Sequence, residues 1–131
     1  MPDISVLVVE DSVYSADLNI RELKKAGYTV HGRIVSNRQS LEAALNESKW
    51  DLIISDNSMP DFSAQKALQI RNDADRSIPF IIVSEDIRRS DIDKAFEWGC
   101  SAFVAKEKLT ELRKIVIEVL KNKLRGIRIG I

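Results

Sequence analysis

Short apolar runs rich in β-branched residues alternate along this chain with longer stretches in which apolar residues recur at helical spacing. The apolar runs cover residues 4–9, 29–35, 52–55, 79–83 and 102–105. The helical patterns that follow them include residues 13–23, 41–45, 64–71, 92–96 and 109–124. Because a strand that returns to its own sheet through a helix does so by a right-handed crossover, this alternation predicts a parallel sheet with helices on both faces. We therefore predict an α/β fold, a doubly wound five-stranded parallel sheet in a three-layer sandwich.

The size and charge of the chain narrow the function classes. Its 131 residues suit one domain, and 20 basic residues balance 20 acidic ones, so no positive excess favours direct nucleic-acid or membrane binding. No apolar run approaches the roughly 20 residues of a membrane-spanning helix and no secretory leader pattern is present, so we expect a cytoplasmic protein. A single Cys100 and a single His31 exclude an internal disulfide and a Cys/His zinc cluster. A metal would therefore need oxygen ligands, Cys100 is interpreted as a small core residue, and His31 receives no functional role.

Polar residues follow four of the apolar runs at the point where each run stops. They are Glu10, Asp11, Asp56, Ser84 and Lys106. Ligands of open parallel sheets bind beyond the carboxyl ends of the strands, so these side chains are predicted to share one edge. Three carboxylates that meet without a partner repel one another, and oxygen ligands with open water positions suit Mg²⁺. Carboxylates, a hydroxyl and a lysine around a metal ion are the groups that phosphoryl transfer requires.

The same residues carry a resemblance to a known family. The segments "VLVVEDS", "LIISDNSMP", "FIIVSE" and "GCSAFVAK" resemble, in order and spacing, the motifs of the response regulator receiver domain of two-component signalling. The resemblance extends over essentially the whole chain and implies a flavodoxin-like (βα)5 fold with strand order 2-1-3-4-5. It implies one receiver domain over residues 1–131, in which residues 109–131 form the last helix and a linker or tail.

The resemblance also implies a role for each matching position. Asp56 would accept a phosphoryl group from the phosphohistidine of a sensor histidine kinase or a phosphotransfer protein, and the domain would catalyse only its own phosphorylation and dephosphorylation. The implied Mg²⁺ ligands are Glu10, Asp11, Asp56 and the main-chain carbonyl of Ser58; the implied phosphoryl contacts are Ser84 and Lys106; the implied switch residues are Ser84 and Phe103. Phe103 has a second interpretation as an ordinary core aromatic.

Three positions depart from the family pattern. Glu107 follows Lys106 where proline is usual. Ser63-Ala64 stands where a glycine commonly ends the loop, and these two residues demand a backbone without positive φ at that point. Glu85 replaces a residue that is usually small. The combination of "FIIVS" and "KEKL" is similar to receivers that precede PAS, diguanylate cyclase or kinase modules.

Glu85 and Ser58 are predicted to modulate the rates of the reaction. If Glu85 leans over Asp56, its charge repels an incoming phosphodonor and its bulk restricts attacking water. If it points outward to Arg88 or Arg89, the exposed ion pair leaves the chemistry almost unchanged. A modest slowing of both steps is the expectation.

A partner surface is expected on the face formed by helix 4, strand 5 and helix 5. The last helix carries apolar residues on more than one side, and Trp98 stands near this face where alanine is common in the family. The resemblance implies that an output domain or partner binds there, and a second copy of the chain is one candidate.

Two other functions remain open from the sequence. An aspartate-nucleophile phosphatase usually carries a second acid two residues after its nucleophile. This chain has Ser58 at that position, so no general acid is available there. A degenerate receiver would bind partners without phosphorylation, and the missing glycine and proline are its only support. Taken alone, Asp56 could form a turn, Glu10 and Asp11 could cap a helix, and Lys106 could be a solvated side chain.

Overall fold

A six-stranded parallel sheet forms the centre of the chain, and helices cover both of its faces. The computed structural model describes residues 2–57, 59, 61–85, 88–122 and 127–130. The strands are β1 Asp3–Val9, β2 Thr29–Val35, β3 Leu52–Asp56, β4 Phe80–Ser84, β5 Ala102–Ala105 and β6 Ile127–Ile129. The helices are α1 Val13–Lys25, α2 Arg38–Glu47, α3 Ala64–Ala74, α4 Arg89–Glu97 and α5 Leu112–Asn122, and a 3₁₀ helix, Lys106–Glu111, precedes α5.

The predicted fold is confirmed, with one added strand. The order of the sheet is β2-β1-β3-β4-β5-β6, so the expected 2-1-3-4-5 arrangement is present and β6 extends it beyond β5. Sequence analysis missed β6 because three residues are too few for strand periodicity to be recognised. The predicted last helix was also too long, since residues 109–111 belong to the 3₁₀ helix and α5 begins at Leu112. Residues 123 and 124, the predicted end of that helix, lie outside the described residues.

The core consists of two apolar layers, one on each face of the sheet. Every residue of β3, β4 and β5 is buried, as expected for strands covered on both sides. Alternate side chains such as Ile53 and Phe103 pack with α2, α3 and α4, whereas Ile54 and Val104 pack with α1 and α5. The described part of the chain contains no helix with the length and apolarity that a bilayer crossing requires.

Local capping places the helix starts beside the strand ends. Ser12 accepts a hydrogen bond from the Ser15 N–H and begins α1 immediately after the acidic residues that follow β1. Asn37 caps α2, and its side chain accepts a hydrogen bond from the Ser40 N–H. Ser63 caps α3 with a φ of −72°. Because this φ is negative, the backbone at Ser63 does not require the glycine that is common in the family.

A buried arginine joins α3 to the start of β5. Arg71 is only 2% exposed, and its guanidinium donates hydrogen bonds to the carbonyls of Arg76 at 2.6 Å, Ile78 at 3.1 Å and Gly99 at 2.8 Å. The same group lies over the Phe80 ring, 5.7 Å from its centre. One side chain therefore satisfies backbone carbonyls from the loop that precedes β4 and from the loop that precedes β5.

Replacing this guanidinium should weaken the whole fold. Arg71→Met keeps most of the side-chain volume but leaves the accepting carbonyls without their donor, and we expect the free energy of unfolding to fall by about 2–4 kcal/mol. Urea unfolding measures the change. Arg38→Met is the matched control, because among the described residues Arg38 forms an exposed ion pair with Glu42, and the loss of this pair should cost about 0–1 kcal/mol. Equal midpoints for the two variants would contradict the role of Arg71.

Candidate functional site

Three carboxylates meet at the carboxyl edge of the sheet. Glu10 and Asp11 follow β1, Asp56 ends β3, and oxygen atoms of the three lie within 4.8 Å of one another. Parallel pairing of Val9 with Ser55 brings the two strand ends to the same level, which is why Glu10 and Asp56, 46 positions apart in sequence, become neighbours. Glu10 and Asp56 are 3% and 6% exposed, whereas Asp11 is exposed to solvent. The predicted convergence of these carboxylates is present.

The surroundings of Glu10 favour a bound cation. Its Oε1 accepts hydrogen bonds from the N–H groups of Asp11 and Ser12, both at 3.1 Å. Its buried Oε2 has no hydrogen-bond partner within the described residues. Burial raises the pKa of Glu10 to about 7; the Ser12 N–H opposes this shift, and the negative charge of Asp56 adds to it. A buried carboxylate oxygen without a partner, beside two further carboxylates, fits a hard divalent cation such as Mg²⁺.

The structure describes the two predicted phosphoryl contacts, Ser84 and Lys106, but not Ser58, the remaining predicted metal ligand. Ser58, whose carbonyl the sequence analysis assigned to the metal, lies outside the described residues. Ser84 is the last residue of β4 and is fully buried; the pairing of Asp56 with Val83 places it one position beyond Asp56 along the edge. Lys106 follows β5, and its positive charge lowers the pKa of Glu10, so this ammonium lies near the acidic cluster.

Glu85 has a partner that the sequence analysis did not consider. Its Oε1 lies 3.9 Å from the Nζ of Lys106, and the Glu85 side chain is 75% exposed while that of Lys106 is 25% exposed. Neither predicted destination, over Asp56 or out to Arg88 and Arg89, included this lysine. Sequence periodicity could not reveal the contact, because it joins the ends of two adjacent strands through space.

Phe103 lies in β5 and is 1% exposed. It belongs to the apolar layer that packs against α3 and α4, and Trp98 is partly buried against the same layer. Burial of Phe103 is compatible with both interpretations of this residue, so its role as a switch remains a prediction.

The site and the fold agree with the comparisons to known proteins. A family model described as the response regulator receiver domain matches residues 6–117, and the chain belongs to this family. Receiver domains are signalling modules that interact with histidine kinases and output domains.

Three similar proteins illustrate the range of the family. The chain is 33% identical over 129 residues to protein-glutamate methylesterase/protein-glutamine glutaminase 6 of Anaeromyxobacter dehalogenans, covering 96% of this chain and 36% of that protein. It is 30% identical over 120 residues to the transcription factor SKN7 of Saccharomyces cerevisiae, covering 91% of this chain and 19% of that protein. A solved receiver domain of a Pseudomonas aeruginosa sensor histidine kinase, with magnesium coordinated in its active-site cleft, has a TM-score of 0.72 at 21% identity and covers 88% of this chain and 96% of its own. The chain thus spans about a third or less of the two curated relatives.

The raised pKa of Glu10 makes stability depend on pH. Between the ordinary value of 4.5 and about 7, the folded metal-free protein binds more protons at Glu10 than the unfolded chain does. The free energy of unfolding should therefore fall as pH rises through this window. Glu10→Gln should remove most of that fall and stabilise the metal-free protein at pH 8 by roughly 1–3 kcal/mol. Urea unfolding between pH 5 and pH 8, in the presence of EDTA, measures the free energy of unfolding and its dependence on pH.

Glu85→Gln is the matched control, because Glu85 is a largely exposed carboxylate at the same edge of the sheet. This variant should keep the pH dependence of the parent. If Glu10→Gln keeps the same dependence as Glu85→Gln, the burial of Glu10 does not control its protonation.

Proposed function

We propose that Asp56 accepts a phosphoryl group in a Mg²⁺-dependent reaction, and that the donor is the phosphohistidine of a sensor histidine kinase or a phosphotransfer protein. The observation that carries the proposal is the cluster of Glu10, Asp11 and Asp56, whose oxygens lie within 4.8 Å of one another. The unpartnered Oε2 of Glu10 supports a cation in this cluster. Magnesium in the active-site cleft of the Pseudomonas receiver supports the choice of metal.

Each residue of the site has a defined task in this reaction. An oxygen of Asp56 attacks phosphorus, an acyl phosphate bond forms, and the bond from phosphorus to the histidine nitrogen breaks with its electron pair on nitrogen. The ammonium of Lys106 and the hydroxyl of Ser84 stabilise charge on the phosphoryl oxygens. Glu10, Asp11, Asp56 and the Ser58 carbonyl would hold Mg²⁺, whose positive charge would offset repulsion between the carboxylates and the phosphoryl group.

Glu85 competes with the phosphoryl group for Lys106. The 3.9 Å separation of Glu85 and Lys106 puts a negative charge beside the ammonium that the reaction needs. Because the pair is largely exposed on the Glu85 side, the interaction is weak and the competition is modest. Glu85 therefore slows phosphorylation by small donors and, by covering the same edge, slows loss of the phosphoryl group.

The donor and the output are proposed to use different surfaces. Val13 and Tyr14 are 63% and 74% exposed in the first turn of α1, directly beyond Asp11, so they offer an apolar surface to a phosphodonor protein that approaches Asp56. The output domain or partner, with a second copy of the chain as one candidate, is assigned to the face of α4, β5 and α5. The phosphorelay is proposed to operate in the cytoplasm, without direct contact to nucleic acid or membrane.

Phosphorylation of Asp56 is the direct test. Incubation with acetyl phosphate and Mg²⁺ should add one phosphoryl group, which mass spectrometry of the intact protein and of its peptides locates. Asp56→Asn should abolish the adduct, because the amide is a poor nucleophile. Asp51→Asn is the matched control, since Asp51 is an exposed carboxylate at the opposite end of β3. An unlabelled parent indicates a degenerate receiver, and steady release of phosphate indicates a phosphatase.

Removing Glu85 should change the rates rather than the site of labelling. Glu85→Ala frees Lys106 from its ion pair, and we expect acetyl phosphate to label Asp56 about two- to fivefold faster and the adduct to decay faster. Time courses by mass spectrometry measure both steps. Glu107→Ala removes an exposed carboxylate next to Lys106 and should leave both rates unchanged. If labelling and decay in Glu85→Ala proceed at the same rates as in Glu107→Ala, Glu85 is only a solvated surface charge.

A further inference from the structure

The sixth strand covers the edge of β5 that the proposed output surface needs. β6 pairs with β5 in parallel, with Ala102 beside Ile127, Phe103 beside Arg128 and Val104 beside Ile129. The Ile127 N–H donates to the Ser101 carbonyl at 3.1 Å. Backbone groups of β5 that would otherwise offer a free strand edge to a partner are therefore paired within the chain.

Arg128 fastens β6 to α4 on the side of the sheet that holds Phe103. Its guanidinium lies over the Phe96 ring, 4.4 Å from the centre, and its Nη1 lies 3.3 Å from Oδ1 of Asp93. Residues paired across parallel strands point to the same face, so Arg128 and Phe103 are neighbours beside α4. Phe103 is 1% exposed, and its strand lies between β4 and β6.

The other end of β6 contacts the residues that lead to Lys106. A Cβ atom added to Gly130 would lie 2.6 Å from the Cβ of Ala105 and 3.1 Å from the Cγ of Lys108. Ala105 precedes Lys106 and pairs with Ser84 across the sheet. Lys106 thus follows the strand next to β6, and Ser84 ends the strand beyond it, with no space between Ala105 and Gly130 for even a methyl group.

We propose that β6 is an internal cover of the α4-β5-α5 face and that a phosphoryl group on Asp56 releases it. The inference rests on the proposed function of Asp56 and adds the regulation of its output. Release exposes the edge of β5, the Phe96 ring and the side of Phe103 to the output partner. In the unphosphorylated protein, β6 excludes that partner.

The order of the strands gives the direction of the effect. A phosphoryl group on β3 attracts the Ser84 hydroxyl and the Lys106 ammonium toward β3, whereas β6 lies on the opposite side of β5. Movement of Ala105 in that direction withdraws the surface against which Gly130 packs. The attachments of β6 are also weak enough to be broken, because the Arg128–Asp93 pair is exposed and Ile127 and Ile129 are only partly buried.

Hydrogen exchange of the full chain tests whether β6 covers β5. Arg128→Ala should speed exchange of the amides of residues 102–104 about threefold to tenfold, because it removes the cation–π contact and the ion pair. Gly130→Ala should act in the same direction through the clash with Ala105. Arg33→Ala is the control for the first variant, since Arg33 forms a similar exposed ion pair, with Glu47, on the opposite edge strand. Gly27→Ala is the control for the second, because Gly27 also has positive φ but has open space around it.

The coupling to Asp56 is tested with beryllofluoride and Mg²⁺ as the phosphoryl mimic. In the parent, the mimic should speed exchange of the same β5 amides, and in Asp56→Asn it should not. Because coupling between two sites is reciprocal, Arg128→Ala should bind beryllofluoride more tightly than the parent, whereas Arg33→Ala should not.

The outcomes separate the inference from the proposed function. Labelling of Asp56 by acetyl phosphate with unchanged or slower β5 exchange in the presence of beryllofluoride would overturn the inference alone. Unchanged exchange in both Arg128→Ala and Gly130→Ala would also overturn it, since β6 would then not protect β5. A parent that cannot be labelled at Asp56 would overturn both proposals.

Discussion

Electrostatic repulsion among three carboxylates is the constraint on which the site depends. Glu10, Asp11 and Asp56 are held together by the pairing of β1 with β3, and the apolar side chains on both faces of these strands keep that pairing in place. The fold therefore maintains an arrangement that the charges oppose. Protonation of Glu10 relieves the repulsion in the metal-free protein, and a divalent cation relieves it without a proton. Under the proposed function, a proton and Mg²⁺ compete for one buried carboxylate.

Positive charge reaches the same edge from the far side of the sheet. Lys106 follows β5, and Glu85, which follows β4, lies 3.9 Å from this ammonium. The charges at this edge thus come from groups that follow β4 and β5 as well as from β1 and β3.

β5 is held at both ends by contacts from elsewhere in the chain. At its start, Arg71 binds the Gly99 carbonyl and joins the strand to α3. At its other end, Gly130 packs against Ala105, and β6 covers the outer edge. The first contact is buried and belongs to the stable core, whereas the contacts of β6 are partly exposed. This difference makes the outer edge of β5 the side on which the sheet can change without loss of the fold.

The order of the elements and the position of the acidic cluster follow from the sequence, because apolar runs define where strands end and parallel strands end at one edge. The predicted bounds of β2 and β5 were the same as those observed, and Asp56 stands at the predicted end of β3. Tertiary structure alone decided the pairing of β6, the burial of Arg71 and the contact of Glu85 with Lys106. A three-residue strand is too short for its alternation to be recognised, and the sequence does not show that an arginine in a helix will bind carbonyls of the next loop and of the loop before β5. Each of these features includes at least one contact between groups far apart in sequence that only the folded chain brings within bonding distance.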